Sequence, residues 1–562
     1  MRVGDAVANA VSAEGVTAAF GLLGEGNIAV IERLAERGDV EWIAARREDA
    51  AVSMADGYAR RGGADVGFAT VTHGPGLTNA LTALTEASKA GTALVVLTAD
   101  TAREDFAHPQ EIDERAFVTP TGAGVHAVRS ASTAAEDVAI AFGRARREAR
   151  PIVLLLESDL AEAAYSGPPI EDQRLRRGER SAQRQVPQES TIRSVADVVL
   201  KAQRPVILAG RGAVSSGAQD ELVALGDEIG TLFSTTLLAQ GFFFGHPCDV
   251  GVAGGFGEGL ANELLSGADL VLAFGTSLSD YTSKGMSLFR HASVIRFDID
   301  PTATSATGSA ELAVVGDARA SAAALRSRLR EATRGAAVGY RSHDVLAMIG
   351  AHRPGNDVAD ESGSEGLDPR TLALELDALL PAERAVVVDL GYFTAEACKY
   401  IRVNDPRKFV FPINFGSIGL ALATATGASV ADRSAPTVVI VGDGGLMTAI
   451  GELETLRRHN LPVIVVVFDD SAYGIEYHAL RIRQRETRLA VFDDVDFAAV
   501  ARGFGLHAGT VRTIEELRDM AATFSAGTGP QLVHARVNSK VETQWLDELV
   551  ASGWHQRARA AP

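Results

Sequence analysis

A chain of several parallel α/β domains is what this sequence predicts, and three observations carry the prediction. Short apolar runs alternate with helix-like amphipathic segments along the length. At 562 residues the chain is too long for one core, and domains of about 100 to 200 residues give three. Two polar stretches without periodicity, near 167–188 and 352–366, separate units expected at 1–166, 189–350 and 367–562.

In the first unit strands are read in "VTAAFGLL" (16–23), "VGFATVTHGPG" (66–76), "TALVVLTAD" (92–100) and "PIVLLLES" (151–158). The second has "RPVILAG" (204–210), "ADLVLAFG" (268–275) and "SVIRFDIDP" (293–301). The third has "AVVVDLG" (385–391), "PTVVIVGDG" (436–444) and "LPVIVVVFDD" (461–470). Strands of this kind, each bounded by glycine or acidic residues and separated by helix-length segments, belong to parallel sheets. No low-complexity tract or short repeat interrupts them.

The formal net charge of −18 repels nucleic acid and anionic membranes, which leaves small ligands and protein partners. Cys248 and Cys398 are the only cysteines, too few for a disulfide framework and outside any zinc-like cluster. The N-terminus has no uninterrupted apolar segment, and no later apolar run reaches the roughly 18 to 20 residues of a membrane span. A soluble, unexported, cytoplasmic protein is expected.

The chemistry concentrates in 441–476. An apolar strand runs into Gly442-Asp443-Gly444-Gly445 and then an amphipathic helix, and a second strand ends at Asp469-Asp470. Glycines at a strand-to-helix turn let the backbone approach a phosphate, and the helix start adds free N–H groups. A carboxylate beside a phosphate needs a cation between them, Mg²⁺ being the usual one. Adjacent parallel strands would bring Asp470, 27 residues on, to the same sheet edge as Asp443. Taken alone, Asp443 reads equally as a helix cap and Asp469-Asp470 as a solvated turn.

That offset resembles the thiamine-diphosphate signature, Gly-Asp-Gly followed some two dozen residues later by Asn-Asn or a variant. Nearly the whole chain is similar to the thiamine-diphosphate-dependent decarboxylase and acetolactate-synthase superfamily. The resemblance implies two thiamine-diphosphate-binding α/β domains, for the pyrimidine and the diphosphate, flanking a Rossmann-like middle domain. It implies Mg²⁺ held by Asp443, Asp470 and the carbonyl of Ala472, with Asp470 departing from the family's asparagine. Gly442, Gly444, Gly445, Tyr473, Gly474 and Ile475 would line the cofactor. In "NFGSIGLALATATGA" (414–428), Ile418 would wedge between its two rings and Gly416 would offer a carbonyl to its amino group. Thr394, after the "AVVVDLG" strand, would supply a hydroxyl near the diphosphate. Glu48, in "ARREDAAVSMADGYAR" (45–60), takes the place of the glutamate that activates the aminopyrimidine.

The outcome after activation is less constrained. Gln110, in "QEID", resembles a glutamine of acetolactate synthases, whereas the adjacent His-His pair of pyruvate decarboxylases is missing. His73, in "THGPGLTNAL", is a proton-transfer candidate or a structural histidine. Glu25 and Glu476 match acidic positions of decarboxylases, or cap a helix and face solvent. The balance leans to a carboligase joining a decarboxylated 2-oxo acid to a second carbonyl compound. Aldehyde release and a catalytically silent homologue stay as alternatives. No Arg or Lys stands out as a substrate clamp, and no flavin signature marks the middle domain, so FAD is neither required nor dismissed. A homodimer or homotetramer is expected, because in the family the glutamate and the Gly-Asp-Gly loop meet between subunits.

Overall fold

The computed structural model describes residues 1–102, 104–105, 107–170, 184–302, 312–332, 339–524, 527, 529–543 and 545. It contains three sheets of six strands, and every ladder within them is parallel. Most of the first predicted linker, 171–183, lies outside the described residues.

The first sheet holds β1 (Ala18–Gly21), β2 (Glu41–Ala44), β3 (Gly67–Val71), β4 (Leu94–Asp100), β5 (Gly124–Ala127) and β6 (Pro151–Glu157), in the order 2-1-3-4-6-5. The second holds β7 (Pro205–Ala209), β8 (Leu232–Thr235), β9 (Asp249–Val252), β10 (Leu270–Phe274), β11 (Ser293–Asp298) and β12 (Leu312–Val315), ordered 12-11-10-7-8-9. Renumbered from its first strand and read from its other edge, that is the Rossmann order 3-2-1-4-5-6. The third holds β13 (Ala385–Val388), β14 (Phe409–Val410), β15 (Thr437–Gly442), β16 (Val463–Asp469), β17 (His507–Val511) and β18 (Gln531–Arg536), ordered 14-13-15-16-18-17. The first and third sheets therefore share one topology. In both, the strand order reverses between the first and third strands, and the crevice beyond the carboxyl ends there is where open α/β sheets bind ligands.

Helices cover both faces of each sheet, so the central strands are buried on both sides and read as continuous Val/Ile/Leu runs. The first and third domains meet through two crossing helices, Glu48–Arg60 and Ala421–Ala431. Small residues make the approach close. A Cβ on Gly57 would sit 2.0 Å from the Thr424 carbonyl oxygen, and one on Gly427 would sit 1.8 Å from that of Met54. Ala423 completes the hydrophobic cluster of the first domain from the third. Among the described residues, no helix is long and apolar enough to cross a membrane.

Gly427→Ala should therefore lower stability by about 1–3 kcal/mol through overpacking, although alanine is the better helix former by about 1 kcal/mol. Gly350→Ala, in the helix His343–Ala351 where a Cβ meets nothing within 4 Å, should raise it slightly. Thermal unfolding of the two variants beside the parent checks the opposite signs.

Candidate active site

Two groups of residues stand at the two matching crevices. In the third domain, β15 and β16 run in register with Gly442 opposite Phe468, so Asp443 and Asp469-Asp470 emerge side by side at one edge. The predicted convergence of the two strand ends is what the fold builds. Asp443 opens the helix Asp443–Ala449, and its carboxylate accepts hydrogen bonds from Gly444 N at 2.7 Å and Ala472 N at 3.2 Å. Asp470 accepts from the same Ala472 N–H at 3.2 Å. Ser471, between them, has φ +54°, a left-handed turn that costs a non-glycine residue about 1–2 kcal/mol.

The neighbouring Asp469 has a different job. Burial pushes its carboxyl up, but hydrogen bonds with His534 at 2.6 Å and with Asp443, followed by the Arg536 guanidinium, more than offset this and hold it well below the usual carboxylate range. Asp443 is pushed far up, first by burial and then by the charges of Asp470 and Asp469. Burial likewise raises Asp470, helped by Asp469. One buried and one half-buried carboxyl that resist ionising together, beside a third kept ionised, form a donor set with excess negative charge. A divalent cation neutralises that excess. Among the described residues no three His, Cys, Asp or Glu side chains form a metal cage. Two carboxylates and one carbonyl would leave the remaining places of an octahedral Mg²⁺ to ligand oxygens and water.

A cavity of about 360 Å³ lies against this edge. Gly416, Ile418, Gly442, Asp443, Gly444, Gly445, Asp470, Ala472, Tyr473, Gly474, Ile475 and Glu476 all line it. Its glycines answer to crowding. A Cβ on Gly445 would lie 2.4 Å from Asp389, and one on Gly474 would lie 2.5 Å from Asp470. Thr394 is placed differently from the expectation. Its hydroxyl is buried, donating to the Asp389 carbonyl and accepting from Gly391 N–H, so it ties the turn after β13 and does not face this cavity.

The first-domain candidates gather around the 72–76 loop. Glu48 starts its helix and accepts from Asn79 at 3.0 Å. Gly74, at φ +58°, packs against Gln110 closely enough that a Cβ would sit 2.5 Å from the Gln110 carbonyl oxygen. His73 is buried, its Nε2 without a partner among the described residues. Burial lowers its pKa, the His108 charge adds to this, and Glu25 opposes it. Glu25 itself is exposed. The His73 and His108 rings stand 5.2 Å apart, so a histidine pair exists in space although no His-His occurs in the sequence. None of Glu25, Glu48, His73 or Gln110 lines the third-domain cavity, whose lining is third-domain residues plus Tyr281.

Three further residues escape the sequence reading. Asp389, at the end of β13, is buried, with a pKa pushed up to about 7 by that burial, and accepts Gly419 N–H at 2.9 Å beside Ile418. Its signal is present in the sequence, an aspartate at a strand end like Asp443. Glu86, on a first-domain helix, accepts from Asn414 at 2.8 Å and from Phe415 N at 2.7 Å while pairing with Arg60 at 2.9 Å. Arg60 also pairs with Asp56, so a buried triad anchors the loop that carries Gly416 and Ile418. Glu114 is buried, accepts Gly74 N–H at 3.0 Å and fixes the 72–76 loop from below.

Compared with known proteins, residues 1–117 match the model of the thiamine pyrophosphate enzyme N-terminal TPP binding domain, 192–325 its central domain and 389–535 its C-terminal TPP binding domain. The chain belongs to the thiamine pyrophosphate enzymes. Among known proteins, a sulfoacetaldehyde acetyltransferase from Castellaniella defragrans is 29% identical over 92% of this chain and 89% of its own length. The acetolactate synthase large subunit of Buchnera aphidicola subsp. Schizaphis graminum is 26% identical over 90% and 89%. Escherichia coli acetolactate synthase isozyme 3 large subunit is 26% identical over 88% and 87%.

Burial, with the charges of Asp100 and Glu111, pushes the Glu114 carboxyl up to about 8, above its unfolded value near 4.5. The folded protein then holds a proton that the unfolded chain releases, so stability is full below pH 4.5 and falls toward pH 8. The slope is at most about 1.4 kcal/mol per pH unit. Glu114→Gln keeps the acceptor for Gly74 and should flatten this contribution. Denaturant unfolding of the transition that includes the first domain, from pH 5 to 8, measures both slopes.

Proposed function

We propose that this thiamine pyrophosphate enzyme is a carboligase that decarboxylates a 2-oxo acid and joins the remaining fragment to a second carbonyl compound. The observation that carries the cofactor half of the reading is the pairing of buried Asp443 with half-buried Asp470 at a glycine-lined cavity on the switch point of the third sheet. Asp443, Asp470 and the Ala472 carbonyl would hold Mg²⁺, and the helix starts at Asp443 and Gly474 would meet the diphosphate oxygens. Thiamine diphosphate, when bound, supplies the carbon nucleophile and holds the electrons left behind as CO₂ departs.

The chain's own groups choose the fate of the remaining fragment. Ile418 would shape the cofactor, with Asp389 and the Glu86–Arg60 pair holding its loop in place. Glu48 would hold a proton at the aminopyrimidine. His73 keeps a lowered pKa, which leaves Nε2 free to take up a proton at neutral pH. The relatives' names denote synthesis and acyl transfer rather than aldehyde release, and Gln110 lies beside Gly74, which supports ligation. One observation favours the alternative, aldehyde release: the His73–His108 pair offers a proton relay to the same place.

Because, among the described residues, the two groups line no common cavity within one chain, two copies would have to face each other, first domain to third, to complete a site. That makes a homodimer the smallest active unit and a homotetramer a pair of such dimers. Two buried free cysteines suit a reducing cytoplasm.

A screen of 2-oxo acids, with and without aldehyde or 2-oxo acid acceptors, tests the reading by CO₂ release and product mass. Hydroxy-ketone or acetohydroxy-acid products requiring both Mg²⁺ and thiamine diphosphate are expected. Asp443→Ala should abolish the Mg²⁺ dependence together with at least about 99% of the rate, by removing a charged ligand. Aldehyde as the sole product would replace carboligation with the alternative, and a rate independent of cofactor would overturn both.

A further inference from the structure

A second cavity, of about 570 Å³, adjoins the one just described. Tyr281, Leu390, Ile413 and Trp545 line both, so they form the boundary between the two. Beyond that boundary the second cavity draws on all three domains, and two of its residues are cations: Lys89 from the first domain and Arg211, which opens the short helix after β7. The Arg211 guanidinium donates to the Ala90 carbonyl, which places it next to Lys89 in the chain. The cavity wall also includes Phe256 and Phe411.

The charge of this lining is the informative feature. The chain carries 72 acidic residues, yet among the described residues no Asp or Glu lines the cavity. Lys89 and Arg211 have no carboxylate partner among the described residues, and the two acids whose field reaches Arg211, Asp56 and Glu86, are already paired with Arg60. Lys89 and Arg211 are both exposed, so water can solvate them, yet two cations at the rim of an apolar-walled space without a counter-charge attract an anion over a neutral group.

From this we infer that the second cavity receives the far end of a substrate, and that this end is an anion carried on an apolar stem. The reacting carbonyl would lie on the cofactor side of the Tyr281–Trp545 boundary, so the inference rests on the function proposed above. Carboxylate, sulfonate and phosphate share the required chemistry. The volume, within the range of ordinary ligand sites, accommodates a chain of several carbons in addition to the charged head. Lys89 and Arg211 are then specificity residues, remote from the bonds that change.

The test compares three 2-oxo acids on the cofactor-loaded enzyme: 2-oxoadipate, 2-oxo-5-phosphonopentanoate and the neutral-ended 2-oxohexanoate. At least one anion-ended acid is expected to exceed 2-oxohexanoate in kcat/KM by about tenfold or more, the value of one charge-assisted contact, and the better of the two identifies the anion. Lys89→Ala and Arg211→Met should each erase most of that advantage through KM, leaving 2-oxohexanoate within about twofold of the parent. Both residues are exposed, but only Arg211 ties down a backbone carbonyl, so the Lys89 variant keeps the test valid if Arg211→Met fails to fold. Equal rates for all three acids, or variants that slow all three alike, would overturn the inference. If no acid releases CO₂, the proposed reaction fails, and binding decides the inference separately. Quenching of Trp545 fluorescence by 2-oxoadipate, absent in Trp545→Phe and weakened about tenfold in Lys89→Ala, upholds an anion site; no quenching, or quenching unchanged in Lys89→Ala, overturns it.

Discussion

Two carboxyls that cannot both ionise comfortably stand at the centre of this molecule. Asp443 and Asp470 are brought together by the parallel register of β15 and β16, sealed from solvent on one side, and loaded further by Asp469, which His534 and Arg536 keep negative. Such an arrangement is costly in a cation-free protein and favourable with a divalent ion in place. The glycines at 442, 444, 445 and 474, the left-handed Ser471 and the buried Asp389 all serve the same edge. They keep side chains out of the space, turn Ala472 toward Asp443, and fix the facing loop.

The first domain builds a second crevice, separate from that edge within one chain. The first and third sheets share a strand order, so each opens a crevice at the same topological point. One collects Glu48, His73, His108 and Gln110 around a loop that Glu114 supports; the other collects the acidic pair. The Asp56–Arg60–Glu86 triad joins the two domains of one chain without merging their crevices. Arg60 thereby gains a physical reason. The arginine closing the Gly-Tyr-Ala-Arg sequence reaches the Phe411 carbonyl as well as both acids, and so braces the loop ahead of Ile418.

Burial decides which elements are legible in the sequence. Interior strands such as β4, β15 and β16 are covered on both faces and appear as unbroken apolar runs. The edge strands β2, β5, β9, β12, β14 and β17 escape that reading. They are short, and most carry charged, polar or glycine residues that blunt the periodic signal, as in "EWIA" and "HAGTV". β8 and β18 are interior but escape it too: β8 is only four residues, half of them polar, and in β18 His534 and Arg536 are committed to Asp469 and break the apolar run. The third-domain site is legible because its residues lie within one strand–helix–strand unit. The His73–His108 pair and the Lys89–Arg211 pair are not, since each joins residues far apart in sequence that only the tertiary fold brings together.

The central claim is that a site needs the first domain of one copy and the third domain of another. Subunit exchange between two inactive variants tests it directly. Glu48→Gln damages only the first-domain half and Asp443→Ala only the third-domain half. Mixed under conditions where exchange is verified by mass, half of random dimers pair one of each and carry one intact site. The account predicts recovery of about a quarter of parental activity from the mixture. No recovery despite demonstrated exchange would contradict it, because both halves would then have to come from the same chain.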